Sequence, residues 1–449
     1  MREIGVITFL ILIVTPMTVV LVSSIQIDDE AENPMIVPSN VVSNLVDHGP
    51  IYIGGDSDFG TQGWPGNGTA AMPYVIEGLN IYSSDECIRI EETRAHFVIR
   101  NCAFSSNTTQ LGTAMTLLNV TGGLIEDCKL HGKETAINTG LIEDTIFRNN
   151  SIHDFSGVLI QGNHLVNCTF EDNSIYAIVD DVFRLIEIEN CTFIGNHVHD
   201  VYEPVFDMTD SSGCIISSNV LSNVIGHGIL LSVCDRFTIG NNEISNTTGG
   251  IGIYKTNNSI ISGNVLNSIR VHGAIEIMSS EKCSIEKNLA SASMNQAYCI
   301  ILKDVVESRC HQNQLSENTY DGIRLENADQ CNLTYNEIHE NGGVGILVDQ
   351  SSTMNQFYGN ILFANEQGNA KDDGSSNQWD DGISIGNTWG DYNGVGVYTV
   401  PGLAESVDQY PTRYTSPSSG TDNLVLVYVG IICGGVIVVL ILLMFVKKR

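Results

Sequence analysis

Apolar residues in this chain come in short bursts rather than long amphipathic stripes. Two to five apolar positions are followed by Gly, Asn, Ser or Asp, and then by another burst. Such runs, bounded by turn residues, predict short strands, and no helical stripe of useful length appears between the two ends. One pattern keeps returning. It reads apolar residue, two positions, a small Cys, Thr or Asn, one position, then Phe, Leu or Ile. Its centres are Cys102, Cys128, Thr145, Cys168, Cys191, Asn219, Asn242, Asn264, Asn288, Asn313, Asn336 and Asn360. Successive centres lie 26, 17, 23, 23, 28, 23, 22, 24, 25, 23 and 24 residues apart. A second burst follows each centre a few residues on, as in "HGILL", "HGAIEI", "DGIRL" and "VGILV".

A recurrence of this length is a solenoid period. Leucine-rich repeats are of similar size but need their own leucine pattern and usually a helical return, and neither is present. Three short strands and three turns fit the period. The expected fold is therefore all-β, a right-handed single-stranded parallel β-helix. The repeated centre is small and should face inward, so that Asn336 and Asn360 bond to each other from stacked coils; a buried amide without a partner is costly. The 17-residue step into Thr145 predicts a shortened coil, and the 28-residue step out of Cys191 a loop that leaves the shaft.

The ends read differently. A long apolar run follows Met1-Arg2-Glu3, so residues 1–27 read as a signal peptide or an N-terminal membrane anchor, with a linker over 28–49. Residues 50–75 and 372–398 are expected to cap the coils of 76–371. Beyond a juxtamembrane stalk at 399–423, Leu424 to Val446 carries no charge and is long enough for a transmembrane helix. Lys447, Lys448 and Arg449 would be a cytoplasmic tail by the positive-inside rule. This predicts a cell-membrane protein with an extracellular body.

Charge narrows the partners. The chain has 52 acidic against 21 basic residues, a net −31. Nucleic acid is not an expected partner, because a phosphate backbone calls for a basic footprint. The twelve cysteines form no close Cys-x-x-Cys pair, and those at the centres read as a stack of buried thiols.

Candidate chemistry falls in three places. Asp180, Asp181 and the Gly-His-Gly segment around His227 offer acid–base groups for a glycosidic bond. His227, His272 and Asp321 occupy equivalent positions before glycines, but about two coils apart, hence about 10 Å, too far for one ion. His197 and His199 are metal candidates beside Asp200, Glu203 and Asp207. The densest patch is "KDDGSSNQWDDGISIGNTWGDYNG". There Trp379, Asp380, Asp381, Trp389, Asp391 and Tyr392 could hold a sugar, or the rings could plug the last coil. Asp372 and Asp373, with the other acids, supply hard oxygens suited to calcium.

The Gly-Asn and Asn-Asn pairs before apolar residues resemble those of NosD-like, carbohydrate-binding and sugar-hydrolase parallel β-helix repeats. "NQWDDGISIGNTWGDYNG" followed by "VDQYP" resembles the closing segment of such archaeal and bacterial surface proteins. The resemblance implies an exported protein, and for some members copper delivery to nitrous-oxide reductase. This chain departs from that role in lacking a Met-His cluster. Two apolar ends around such a body suggest an archaeal surface protein. The first expectation is non-catalytic binding of surface polysaccharide or an envelope protein. The alternatives are a polysaccharide lyase or glycoside hydrolase, and a structural envelope protein.

Overall fold

The computed structural model describes residues 45–106, 112–294, 297–416, 423–433 and 436–446. The chain divides into Asn40–Tyr414 and a second unit made of Met1–Ser39 with Thr415–Arg449.

The larger unit is wound from three ladders of parallel strands, as the bursts predict. One ladder is a separate 13-stranded sheet, starting at Tyr74–Glu77 and ending at Gln356–Tyr358. The other two begin at Val46–His48 and Ile51–Ile53. They merge into one 28-stranded sheet because Val220–Ser232 and Glu243–Tyr254 run through both. Within each strand alternate residues point in and out. The inward set is Ile, Leu, Val and Phe. Phe147, Phe170 and Phe193 stack at 4.6 and 5.0 Å from coil to coil. The fold is a right-handed parallel β-helix, the hand that parallel crossovers take.

The Asn repeat finds its purpose at a corner. Asn150, Asn173, Asn196, Asn219, Asn242, Asn264, Asn288, Asn313, Asn336, Asn360 and Asn387 form one buried column. Each Nδ2 donates to the next Oδ1 at 2.9 or 3.0 Å. Each also donates to a main-chain carbonyl of the preceding coil, as Asn264 does to Ile239. From Asn150 to Asn360 the residue just before each Asn turns the corner with positive φ, as at Asn149, Asp172, Gly195, Asn241, Gly263 and Gly359. Gly, Asn and Asp tolerate that conformation best, which explains the Gly-Asn, Asn-Asn and Asp-Asn pairs. Asn387 donates its main-chain N–H to Asp408 Oδ2 at 2.7 Å, so a carboxylate receives the last rung.

The expected single ladder is two columns. Cys102 and Cys128 precede Asn150 in the Asn column. Thr145, Cys168 and Cys191 stand in a second column that continues through Cys214, Ser259 and Cys283 on the far side of the 13-stranded sheet. Both columns follow a positive-φ corner residue, so their local sequences look alike. The 17- and 28-residue steps arise from passing between columns. Within the Asn column the corresponding coils are 22 and 23 residues, so neither a shortened coil nor a large loop is present there. Eleven cysteines are buried free thiols.

In the second unit the described elements are the strands Asn423–Cys433 and Val436–Val446, paired antiparallel. This corrects the transmembrane helix expected over 424–446. The segment is rich in Val and Ile, whose branched Cβ favours strand over helix. No helix among the described residues is long and apolar enough to cross a membrane. The membrane partner, the extracellular body on an anchor and the cytoplasmic tail therefore lose their support, and so does the archaeal attribution drawn from them. The leader or anchor of 1–27 and the tail of 447–449 lie outside the described residues.

Candidate active site

On the outer face of one ladder the register brings distant residues into a single file. Arg184 pairs with Asp207, Asp207 with Leu230, Leu230 with Gly252 and Gly252 with Glu276. The file continues through Ile301 to Arg324. Each step is one coil, about 4.8 Å. The strand Phe183–Ile186 shows why these side chains face out: Phe183 and Leu185 are buried, and Arg184 falls between them.

At one end of the file two acids meet one guanidinium, and a third, Asp207, stands on the next coil opposite that arginine. Arg184 Nη2 lies 3.0 Å from Asp180 Oδ1 and makes a close ion pair with Asp181 Oδ2. Asp181 also donates its main-chain N–H to Asp180 Oδ1 at 2.9 Å. Burial pushes the Asp181 carboxyl up to about 6. Arg184 opposes that rise, while the nearby charges of Asp207 and Asp180 add to it. Burial also raises Asp207, again against Arg184. One guanidinium thus serves carboxyls that cannot all be charged at little cost. Next to this cluster a shallow cavity is lined by Asn138, Gln161, Asn163 and Arg184.

Further along, His227 and His272 meet across an intervening coil. His227 pairs with Gly249, and Gly250 donates its N–H to the carbonyl of Gly273 in the next coil. The backbones are two coils apart, yet the imidazole centroids are 4.7 Å apart. Gly249 makes this possible: a Cβ there would lie 2.4 Å from His227 Cδ2. The 10 Å expected from coil count alone is corrected, because long side chains lean over a position that has none. Burial, and then the charge of His272, lower the His227 pKa. Its Nε2 is buried without a hydrogen-bond partner among the described residues. Glu276 accepts the Gly273 N–H at 2.6 Å on Oε1 and the Tyr254 hydroxyl at 2.9 Å on Oε2. His272 Nδ1 stands 3.7 Å from Glu276 Oε1.

Two family models match the sequence. One is described as periplasmic copper-binding protein (NosD) and covers residues 202–394; the other, right handed beta helix region, covers 65–202. This chain is a right-handed parallel β-helix, the fold that both matches support. No curated protein matches it. Among solved structures, a double mutant of the periplasmic alginate epimerase AlgG is 14% identical, with 67% of this chain and 81% of that one covered and a TM-score of 0.46. The A-module of an Azotobacter vinelandii mannuronan C-5 epimerase is 12% identical over 81% of this chain and all of its own, at 0.39. An alginate lyase from Paenibacillus is 12% identical over 59% and 95%, at 0.33. Similarity at this level concerns the winding of the backbone, and no functional residue is carried across.

The remaining sequence candidates lie elsewhere. Trp379 and Trp389 are fully buried. Trp379 stacks on Phe357 at 4.2 Å and donates to Asp372 Oδ2 at 2.8 Å. Trp389 stacks on Tyr398 at 4.0 Å and donates to Asp408 Oδ2 at 2.9 Å. Neither ring offers a face to a sugar. The nearby acids hold the loops that close the coil. Asp381 accepts the N–H groups of Ile383, Ser384 and Ile385. Asp380 accepts those of Gly382 and Gln409. Asp373 pairs with Lys371, and Asp391 accepts from Asn369 and the Tyr398 hydroxyl. The Tyr392 hydroxyl donates to the Gly396 carbonyl. His199 pairs with Asp200 at 2.9 Å and stacks on Tyr176, while His197 lies two residues back on the strand His197–Val201. Asp207 lies on the strand Phe206–Thr209 in another ladder, so the proposed His197/His199 group does not converge on it.

Sequence reasoning missed Arg184, Glu276 and Tyr254. Arg184 and Asp207 are 23 residues apart, one coil, and that interval was the available signal. The doubled glycine Gly249-Gly250 was the signal for the histidine contact.

Proposed function

We propose that the protein cleaves a polysaccharide laid along this outer face, hydrolysing a glycosidic bond with Asp181 as general acid and Asp207 as its partner base. The reading rests on one observation: Asp180 and Asp181 gather on one guanidinium with Asp207 on the next coil, in a place where burial pushes the Asp181 carboxyl up to about 6. Both carboxyls are raised by burial, so one can protonate the leaving oxygen while the other, once ionised, activates water. Arg184 pairs with Asp181 and stands in register with Asp207 on the next coil. Asn138, Gln161 and Asn163 extend the site with amides suited to sugar hydroxyls. The earlier expectation of a non-catalytic, membrane-anchored binder is set aside. Its aromatic ligand residues are buried, and no helix of the described residues can serve as the anchor.

The test is incubation of the full-length chain with a panel of neutral and uronate polysaccharides, with and without calcium. New reducing ends report either kind of cleavage, and an ultraviolet-absorbing unsaturated end reports elimination alone. Hydrolysis should appear as reducing ends without the unsaturated product. Asp207→Asn and Asp181→Asn should each lower kcat/KM by about 100-fold or more. Wild-type rates in both folded variants would remove the acid pair from the reaction. Unsaturated ends would replace hydrolysis by a lyase reaction.

A further inference from the structure

We propose that His227, His272 and Glu276 bind one divalent transition-metal ion of the zinc class. Two imidazoles and one carboxylate are the donor set such an ion takes when it keeps a position open for water or substrate. One candidate ligand atom from each residue lies within 4.8 Å of the others. Ligands about 2.0–2.1 Å from one tetrahedral ion lie about 3.4 Å apart, so closure by at most about 1.4 Å completes the set. His272 can supply it, since its side chain is 47% exposed and stands at the mouth of the group.

Three further features favour a ligand over chance proximity. His227 Nε2 is buried with no hydrogen-bond partner among the described residues, an expensive arrangement for an aromatic nitrogen unless something fills it. Glu276 is buried, and the Gly273 N–H and Tyr254 hydroxyl fix its plane from outside the group. Such outer hydrogen bonds are how metal ligands are held in orientation. Gly249 clears the coil between the histidines, and a side chain there would meet the His227 ring. The site lies along the same file as the acid pair, three coils from Asp207 to Glu276, but the inference does not depend on that pair.

The full-length chain, stripped with a chelator, would be titrated with zinc and separately with cobalt(II). Calorimetry should count about one zinc per chain, and cobalt should show the visible absorption of a low-coordinate site. His272→Ala and Glu276→Gln should each weaken zinc by at least about 10-fold. Gly249→Ala should weaken it too, whereas His199→Ala should bind as the wild type does. His272 is exposed, so its variant decides the matter should Glu276→Gln fail to fold. No zinc uptake, or several ions held equally by wild type and His272→Ala, would overturn the site. Because the readout is binding, loss of polysaccharide cleavage has no bearing on it.

Discussion

The outer face around Asp181 and the closing segment around Trp379 are built from similar residues and behave in opposite ways. In the closing segment each acid has hydrogen-bond donors to spare. Asp372 alone accepts from Gly374 N–H, Asn377 Nδ2, Trp379 Nε1 and Ser406 Oγ. On the outer face carboxyls crowd one arginine, and an imidazole nitrogen is buried with no hydrogen-bond partner among the described residues. A dense acidic and aromatic stretch in sequence thus marks the place where this solenoid is sealed. The chemistry collects where polar groups come from separate coils and are incompletely satisfied.

That contrast can be broken from either side. Asp372→Ala should leave several buried donors unpaired and cost at least about 3 kcal/mol in urea unfolding, while kcat/KM of the remaining folded protein is unchanged. Loss of catalysis with little loss of stability would reverse the roles assigned to the two regions. Asp181 should show the opposite signature. Its folded value of about 6 lies above that of an unfolded aspartate, so the folded state holds the proton more tightly. Stability of the wild type relative to Asp181→Asn should therefore fall by up to about 3 kcal/mol as pH rises from about 4 to about 6, then level off. A flat difference in paired denaturation curves would show that Arg184 neutralises the burial. Asn264→Ala, in the middle of the ladder, should cost about 2 kcal/mol without altering catalysis. His199→Ala, on the exposed face, should shift stability by less than about 0.5 kcal/mol, and a larger loss would give its stack with Tyr176 a structural weight not assigned here.

How far the sequence could be read follows the same division. The winding was legible because local rules set it: short bursts, small inward residues, and corner residues that accept positive φ. The register was not fully legible, because Cys191 and Asn219 obey the same local rule in different columns. Hydropathy over 424–446 measured length and apolarity but could not tell a helix from a strand pair. At the site, Asp181 and His227 were visible as residue types, two coils apart as counted. Arg184 and Glu276 became visible only when strands were placed in register. The meeting of His227 with His272 depended on what Gly249 lacks, and coil counting does not register a missing side chain.

The Asn column also sets how this molecule can change in length over evolution. Every rung hands a donor forward to an identical acceptor, so a coil duplicated anywhere between Asn150 and Asn387 meets the same interface on both sides. At Asp408 the acceptor is a carboxylate, which has no amide donor to hand on. Growth by duplication is therefore open within the column and closed at its end, and a longer relative built on this plan would gain its turns upstream of that aspartate.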